Sequence, residues 1–322
     1  MPADLVLIAT IMASQHFPVP SFLAASKDFF QDTNLLSAIK DLTYSRKKFT
    51  RLMHACKEGN LERAETLIKA KADVNAVSLV DHLTPLMFAA NYGNTEIVRL
   101  LLDAGANPNV STNTMDYYTP LLMATRWDDL ELIKLLLLKG ASVDAVNKNG
   151  VTPLAAASDN GYVDMVQLLI EFGADVNASR FDVHFTPLLY ACQGGHLEVA
   201  RVLLNNGAQV NLHSIHRATP LMWAAAEGHE ELCRLLIERG ADINARCIKG
   251  NTALMMATES GHIDIIKLLI ASKAETEIRG ISNNGRGKTA LIFAIEKGNT
   301  DAVKALIDGG ADPRSAFTAM LQ

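Results

Sequence analysis

The sequence predicts an all-α solenoid, in which short helix–turn–helix units stack on one another and project β-turn fingers. Two observations predict this fold class. A Thr-Pro-Leu or Thr-Ala-Leu tripeptide recurs at intervals of 33 to 37 residues, and each copy precedes two apolar stripes at helical spacing. The chain also has 322 residues, which is more than one compact hydrophobic core usually holds. A repeat array satisfies both observations.

Each unit is predicted to begin at a threonine that caps its first helix. A threonine side-chain oxygen can accept a hydrogen bond from an orphan backbone N–H, and proline is tolerated at the first helical position. In the sixth unit Gly228 is predicted to end the first helix in a left-handed conformation, and Gly240 to end the second. The eight predicted capping residues are Thr50, Thr84, Thr119, Thr152, Thr186, Thr219, Thr252 and Thr289.

These units resemble ankyrin repeats. The segments TPLMWAAAEGHEELCRLLIERGADINA, from Thr219, and TPLAAASDNGYVDMVQLLIEFGADVNA, from Thr152, are similar to the family consensus. The resemblance covers residues 49–314 and implies an ankyrin-repeat α-solenoid of about eight repeats. We expect an N-terminal helical extension or degenerate cap at 1–48, the repeat domain at 49–314 and a C-terminal capping helix at 315–322.

Some positions depart from the family pattern. Asp128 stands where the other units carry glycine, so we expect a left-handed aspartate and a local change of shape there. Lys71 and Lys273 replace the glycine that precedes alanine after the second helix. Three histidines share one position after the glycine that ends the first helix, where the family carries a structural histidine, and we interpret them as framework residues: His196, His229 and His262.

Composition argues against several classes of function. Lys and Arg number 30 against 35 Asp and Glu, a formal charge of −5 that disfavours broad phosphate neutralisation on nucleic acid. No apolar run has the length of a membrane span, and we interpret Leu5–Ala13 as a short packed helix rather than a signal peptide. The four scattered cysteines include no CxxC pair, which predicts free thiols in a reducing compartment.

The sequence offers no catalytic constellation, and we predict no enzyme activity, no cofactor and no metal. Gly285-Arg286-Gly287-Lys288-Thr289 resembles the end of a phosphate-binding loop, but Ser282 replaces the first glycine of that motif. His184, His213 and His216 fall on two adjacent fingers, where Asp182 is the sole acidic neighbour in register.

The position four residues after each capping threonine is the candidate binding position. The resemblance places it on the concave face, and it is rich in aromatic residues and methionine, the types that dominate binding hot spots. Packing between neighbouring helices is the alternative interpretation. Together with two aromatic residues further along the first helices and two on a finger tip, the predicted partner-binding residues are Phe88, Tyr92, Met123, Trp127, Tyr190, Trp223, Met256, Phe293, Tyr117 and Tyr118.

Charge suggests a further feature of the C-terminal half. Glutamates at the ends of the first helices would form an acidic floor, and basic residues of the fingers a rim, unless both sets are simply solvated. The glutamates are Glu227, Glu259 and Glu296, and the basic residues are Arg217, Arg246, Lys249, Arg279, Arg286 and Lys288. Phe181 and Phe185 are expected on a finger tip.

We therefore predict a scaffold or adaptor that binds a partner protein or peptide on its concave face and fingers. The alternative is a regulatory subunit, or a host-directed effector of an intracellular bacterium, that blocks or recruits an enzyme. We expect a monomer in the cytoplasm, with the nucleus or a host cell as the other possible locations, and neither nucleic acid nor a membrane as its partner.

Overall fold

The computed structural model describes residues 49–79, 82–112, 118–281, 287–314 and 316. The chain divides into two compact units, Met1–Asn107 and Pro108–Gln322. The predicted N-terminal extension or cap at 1–48 lies outside the described residues, as does the predicted C-terminal helix at 315–322 apart from Ala316.

The described residues are all-α, which confirms the predicted fold class: they form sixteen helices and no strand. The helices of the unit Met1–Asn107 are α1 (Arg51–Glu58), α2 (Leu61–Lys69), α3 (Pro85–Asn91) and α4 (Thr95–Asp103). Those of the unit Pro108–Gln322 are α5 (Pro120–Ala124), α6 (Leu130–Leu138), α7 (Pro153–Asn160), α8 (Val163–Glu171), α9 (Pro187–Gly194), α10 (Leu197–Asn205), α11 (Pro220–Glu227), α12 (Glu230–Glu238), α13 (Ala253–Ser260), α14 (Ile263–Ala271), α15 (Ala290–Glu296) and α16 (Thr300–Asp308).

Every first helix, the odd-numbered member of each pair, begins at its predicted threonine. The eight threonine hydroxyls each accept a hydrogen bond from the backbone N–H three residues on, at 3.1 to 3.4 Å. In the unit Pro108–Gln322 consecutive first helices pack together, and so do consecutive second helices. Their buried faces carry mainly Leu, Ala, Ile and Met, because a repeat this small buries its apolar surface only against its neighbours.

Asparagines at the start of four fingers link their repeats to the next by side-chain hydrogen bonds. In each case the side-chain oxygen accepts a backbone N–H of the following repeat at 2.8 to 2.9 Å, and the side-chain nitrogen donates to a glycine carbonyl there at 2.8 to 3.2 Å. This pair of bonds satisfies backbone groups of the turn that follows the second helix. The asparagines that make it are Asn75, Asn109, Asn177 and Asn211.

The three histidines in register are framework residues, as predicted. The Nε2 atom of each lies within hydrogen-bond distance of a backbone oxygen near the end of the preceding first helix. The distances are 2.9 Å from His196 to Asp159 O, 3.4 Å from His229 to Gln193 O and 3.1 Å from His262 to Ala226 O.

The third repeat corrects two expectations. Helix α5 ends at Ala124, and Asp128 does not adopt the expected left-handed backbone. Thr125 closes the helix in a right-handed conformation, and its hydroxyl donates to Leu122 O at 2.8 Å. Trp127 consequently lies beyond the first helix, not on it as the spacing indicated. The predicted change of local shape is present, but early termination causes it rather than strain at Asp128.

Lysine takes the place of glycine after two second helices without a change of backbone. Lys71 and Lys273 adopt left-handed φ values of 63° and 66° at the position where other repeats carry glycine. An L-residue there is strained relative to glycine, so these repeats carry a small local cost.

Candidate functional site

The candidate site lies on the first helices of the unit Pro108–Gln322. Tyr190 on α9, Trp223 on α11, Met256 on α13 and Phe293 on α15 each follow their capping threonine by four residues, and all four are half-buried. A half-buried side chain keeps one part packed against its own repeat and offers the rest to solvent. We call these four residues the first-helix row.

Two members of the row form an aromatic cluster with a residue from a finger. The ring of Phe185 lies 5.0 Å from that of Tyr190 and 5.5 Å from that of Trp223, with interplanar angles of 69° and 74°. This edge-to-face arrangement is the one that the ring quadrupoles favour. Phe185 is half-buried, whereas Phe181 on the same finger is 69% exposed.

Arg180 fixes the orientation of Tyr190. Its guanidinium binds Asp182 through two bonds, Nε to Oδ1 at 2.9 Å and a terminal nitrogen to Oδ2 at 2.7 Å, and it donates to the Tyr190 hydroxyl at 3.2 Å. The bidentate geometry holds the guanidinium plane in place. The Arg180 hydrogen bond lowers the pKa of Asp182, and burial raises the pKa of Tyr190 against an opposing effect of Arg180. Tyr190 is therefore a neutral, preoriented side chain.

A cavity of about 250 Å³ opens beside Trp223. Its lining combines two methionines, two alanines and the indole with a glutamate and a serine. This volume is below the roughly 300–1,000 Å³ of typical small-molecule sites and suits one or two side chains of a partner. The lining residues are Ala218, Met222, Trp223, Ala226, Met256, Glu259 and Ser260.

The indole nitrogen of Trp223 is a buried donor without an acceptor. Among the described residues, no other buried side-chain nitrogen or oxygen atom lacks a hydrogen-bond partner. Leaving such a donor unsatisfied costs about 1–3 kcal/mol. Unsatisfied buried groups are uncommon in native proteins, and this one coincides with the aromatic cluster and the cavity.

The predicted acidic floor and basic rim are partly neutralised by each other. Lys288 Nζ lies 2.6 Å from Glu296 Oε2 and 5.6 Å from the centre of the Phe293 ring, so this rim residue pairs with a floor residue. Glu227 and Glu259 are exposed and form no ion pair within the described part of the chain. Carboxylate charge therefore persists beside Trp223 and Met256.

The other predicted residues have varied surroundings. Phe88 and Met123 are only 6% and 8% exposed, which favours packing over contact, whereas Tyr92 and Trp127 are exposed. Tyr118 is half-buried, and Tyr117 lies outside the described residues. In the unit Met1–Asn107 the ring of Phe49 packs edge-on against Phe88 at 5.3 Å.

Sequence reasoning missed Arg180 as the residue that positions Tyr190. The signal available was Arg180-Phe181-Asp182, where an arginine and an aspartate two residues apart on a finger can pair. Nothing in the sequence reports that the same guanidinium reaches a helix ten residues further on.

The described residues include neither the side-chain cluster of a metal site nor the long apolar helix of a membrane span. Within that part of the chain, no group of three His, Cys, Asp or Glu side chains is placed to hold a metal ion. No helix there is both long enough and apolar enough to cross a bilayer. All four cysteines are free and buried, and burial raises the pKa of Cys56 and of Cys233 to about 12.

A model of the ankyrin repeat family matches the chain at residues 21–112, 86–180, 179–247 and 246–316. The chain therefore belongs to the ankyrin repeat family, as the resemblance implied. The match begins within the N-terminal segment for which an extension or degenerate cap is expected. Ankyrin repeats generally mediate protein–protein interactions, and the family is typically non-enzymatic.

Individual relatives match a minority of the chain. A probable E3 ubiquitin-protein ligase, XBOS33, of Oryza sativa subsp. japonica is 32% identical over 139 residues, which are 41% of this chain and 26% of that protein. The ankyrin repeat protein nuc-2 of Neurospora crassa is 31% identical over 130 residues, 40% of this chain and 12% of its own length. The NF-kappa-B inhibitor alpha of Sus scrofa is 32% identical over 120 residues, 35% of this chain and 38% of its own length.

Proposed function

We propose that the protein is an adaptor or scaffold that holds a partner protein or peptide against the first-helix row. The observation that carries this proposal is the coincidence of three features at Trp223: the edge-to-face aromatic cluster, the adjoining cavity and the unsatisfied indole donor. Aromatic anchors at the centre of a small apolar pocket are the usual form of a binding hot spot.

The proposed mechanism is rigid presentation of a preformed surface. A partner side chain enters the cavity and covers the exposed parts of Trp223 and Met256, which contributes about 1.5–3 kcal/mol per fully buried side chain. Arg180 already holds Tyr190 in place, so little side-chain freedom is lost there on binding. The charge of Glu227 and Glu259 favours a partner with a cation next to its apolar anchor.

A regulatory role would use the same site. One relative is named an NF-kappa-B inhibitor, and that name denotes inhibition of another protein. We propose this as the second candidate, in which the bound partner is an enzyme or factor that the chain blocks or recruits. The two candidates differ in whether the partner's own activity changes on binding.

The test is capture of partners from cell lysate by the full chain. Wild type is compared with a Tyr190→Ala, Trp223→Ala double variant and with Leu138→Ala, a control that truncates an exposed apolar side chain on α6. Melting curves first establish that all three are folded. We expect a partner that wild type and the control retain and the double variant loses. Retention of every partner by the double variant would assign the row to packing and overturn the proposal.

A further inference from the structure

Four finger tips of the unit Pro108–Gln322 carry an exposed apolar residue in the same register. Phe181, Ile215, Ile248 and Ile281 are 69%, 45%, 54% and 67% exposed, and they recur at intervals of 34, 33 and 33 residues. Single exposed apolar residues are common on protein surfaces, but a row with one member on each of four successive fingers is not. We call these four residues the finger ridge.

Backbone hydrogen bonds join the fingers that carry the ridge. The N–H of Ile215 donates to Val183 O at 2.9 Å, and that of Ile248 donates to His216 O at 2.9 Å. The N–H of Ile281 donates to Lys249 O at 2.6 Å. Each bond fixes one ridge residue against the preceding finger, so the four side chains have a defined order on one continuous edge.

The ridge is flanked by cations without carboxylate partners. Arg217, Lys249 and Arg279 are exposed finger residues that form no ion pair within the described residues. Asp182 also lies on these tips, but Arg180 already pairs with it. The edge therefore combines aliphatic surface with uncompensated positive charge, in a chain whose net charge is −5.

We propose that the finger ridge is a second docking surface, which binds an extended acidic segment of a partner protein with aliphatic side chains on one face. In an extended segment alternate side chains share a face, so apolar residues can meet the ridge. Carboxylates of the partner can then reach Arg217, Lys249 and Arg279. This inference shares with the proposed function only the premise that the chain binds proteins, because the ridge contains no residue of the first-helix row.

The composition of the ridge favours a polypeptide over a nucleic acid. Single-stranded nucleic acids bind through successive aromatic platforms, and Phe181 is the single aromatic member of the ridge. The other three members are isoleucines, which complement aliphatic side chains through close apolar contact. The cations beside the ridge can also bind the phosphates of a nucleic acid, so the experiment includes an oligonucleotide.

The test measures binding of the full chain to immobilised synthetic probes. One peptide alternates Glu with Ile, a second alternates Lys with Ile, a third alternates Glu with Ser, and a fourth probe is a single-stranded oligonucleotide. We expect the Glu–Ile peptide to bind in preference to the other three, with affinity that falls as salt is raised. An equal affinity for the Lys–Ile peptide, or tighter binding of the oligonucleotide, would overturn the proposal.

Variants locate the binding on the ridge. Ile248→Ser with Ile281→Ser removes apolar contact, and Lys249→Glu with Arg279→Glu reverses charge. Each pair should weaken binding of the Glu–Ile peptide by about tenfold or more, with unchanged melting, since all four side chains are exposed. Leu138→Ser on α6 serves as the control for an exposed apolar residue elsewhere and should bind as wild type does.

Two further results separate this inference from the proposed function. Trp223→Ala should keep affinity for the Glu–Ile peptide while it loses the partner captured from lysate. Loss of both would place the peptide on the first-helix row and overturn the ridge as a separate surface. Light scattering of wild type and the isoleucine variant tests self-association; a dimer that the variant loses would show that a second copy covers the ridge and would likewise overturn the proposal.

Discussion

Gly228 and Gly240 have the same backbone conformation but different surroundings. Both are left-handed, with φ of 88° and 84°. A Cβ atom at Gly228 would lie 2.6 Å from Cε1 of His262, whereas nothing lies within 4 Å of a Cβ at Gly240. The histidine therefore packs directly on the glycine of the preceding repeat. The pair separates the cost of backbone strain from the cost of crowding between repeats.

We predict that Gly228→Ala destabilises the protein more than Gly240→Ala does. In both variants the free energy of unfolding should fall by about 1–2 kcal/mol, because alanine is strained in the left-handed conformation. Gly228→Ala should lose about 1 kcal/mol more, because His262 must move away from Ala226 O. Urea unfolding of the two variants measures the difference. Equal losses would mean that the histidine contact contributes nothing to stability.

Substitution can separate the packing of the Trp223 indole from its proposed role in binding. Trp223→Phe removes the unsatisfied donor, which offsets part of the packing lost with the smaller ring. We expect the free energy of unfolding to change by less than about 1 kcal/mol, while the affinity for a partner captured at the first-helix row falls by about tenfold or more. Thermal melting and a binding titration check both halves, and a large loss of stability with unchanged affinity would contradict the binding role.

At the scale of the element, the finger that follows α6 departs from the asparagine pattern. Asp144 accepts the N–H of Asp175 at 3.1 Å, as asparagines in other repeats accept theirs. An ionised carboxylate has no hydrogen to donate, so it cannot make the second bond, from the side-chain nitrogen to a glycine carbonyl. This junction therefore keeps one of the two side-chain bonds seen at Asn177 and Asn211.

Asp144→Asn should supply the missing bond. We expect the free energy of unfolding to rise by about 0.5–1 kcal/mol, the net worth of one hydrogen bond between neutral groups. The reverse change, Asn177→Asp, should lower it by a similar amount, because it removes the bond to Gly207 O. Chemical denaturation of both variants checks the pair. A free energy of unfolding that stays unchanged in both variants would contradict the contribution of the second bond.

The repeated elements could be predicted from the sequence because each local signal has one structural meaning. A threonine two residues before a leucine marks the start of every first helix, and the histidines in register were recognisable as framework residues. The end of α5 could not be predicted, since it depends on a bond from Thr125 to Leu122 O that competes with a longer helix. The candidate binding position could be predicted from its spacing after each capping threonine, but the burial of its members could not, and they differ in burial.

The surroundings of each member depend on contacts between distant residues. Phe88 is buried where Phe49 covers it, and Tyr190 is held by Arg180 from the preceding finger. No spacing rule reports such contacts. The same holds for the finger ridge, whose exposed isoleucines look in the sequence like ordinary apolar residues of a strand or a core.

At the scale of the whole molecule, buried thiols occur in both compact units. Cys56 lies in the unit Met1–Asn107, and Cys192 and Cys233 lie in the unit Pro108–Gln322. Burial raises the pKa of all three, because the charged thiolate is disfavoured away from water. The unfolded chain exposes these thiols and ionises them at their ordinary pKa near 9.0. Alkaline solution therefore favours the unfolded state of either unit.

Cys56 provides the cleanest measure of this effect. Its pKa is raised from 9.0 to about 12, so above pH 9 the folded state keeps a proton that the unfolded state loses. The contribution of the Cys56 thiol to the free energy of unfolding is complete below pH 9 and falls by up to about 1.4 kcal/mol per pH unit as the pH rises towards 12.

Ala90 and Ala225 occupy the same position in other repeats, so Cys56→Ala is a conservative control. Urea unfolding at about pH 8 and about pH 10 should show a smaller alkaline loss in Cys56→Ala than in wild type. Lysines and tyrosines titrate alike in both proteins, so the difference belongs to the thiol, and identical losses would mean that Cys56 is accessible to water in the folded protein.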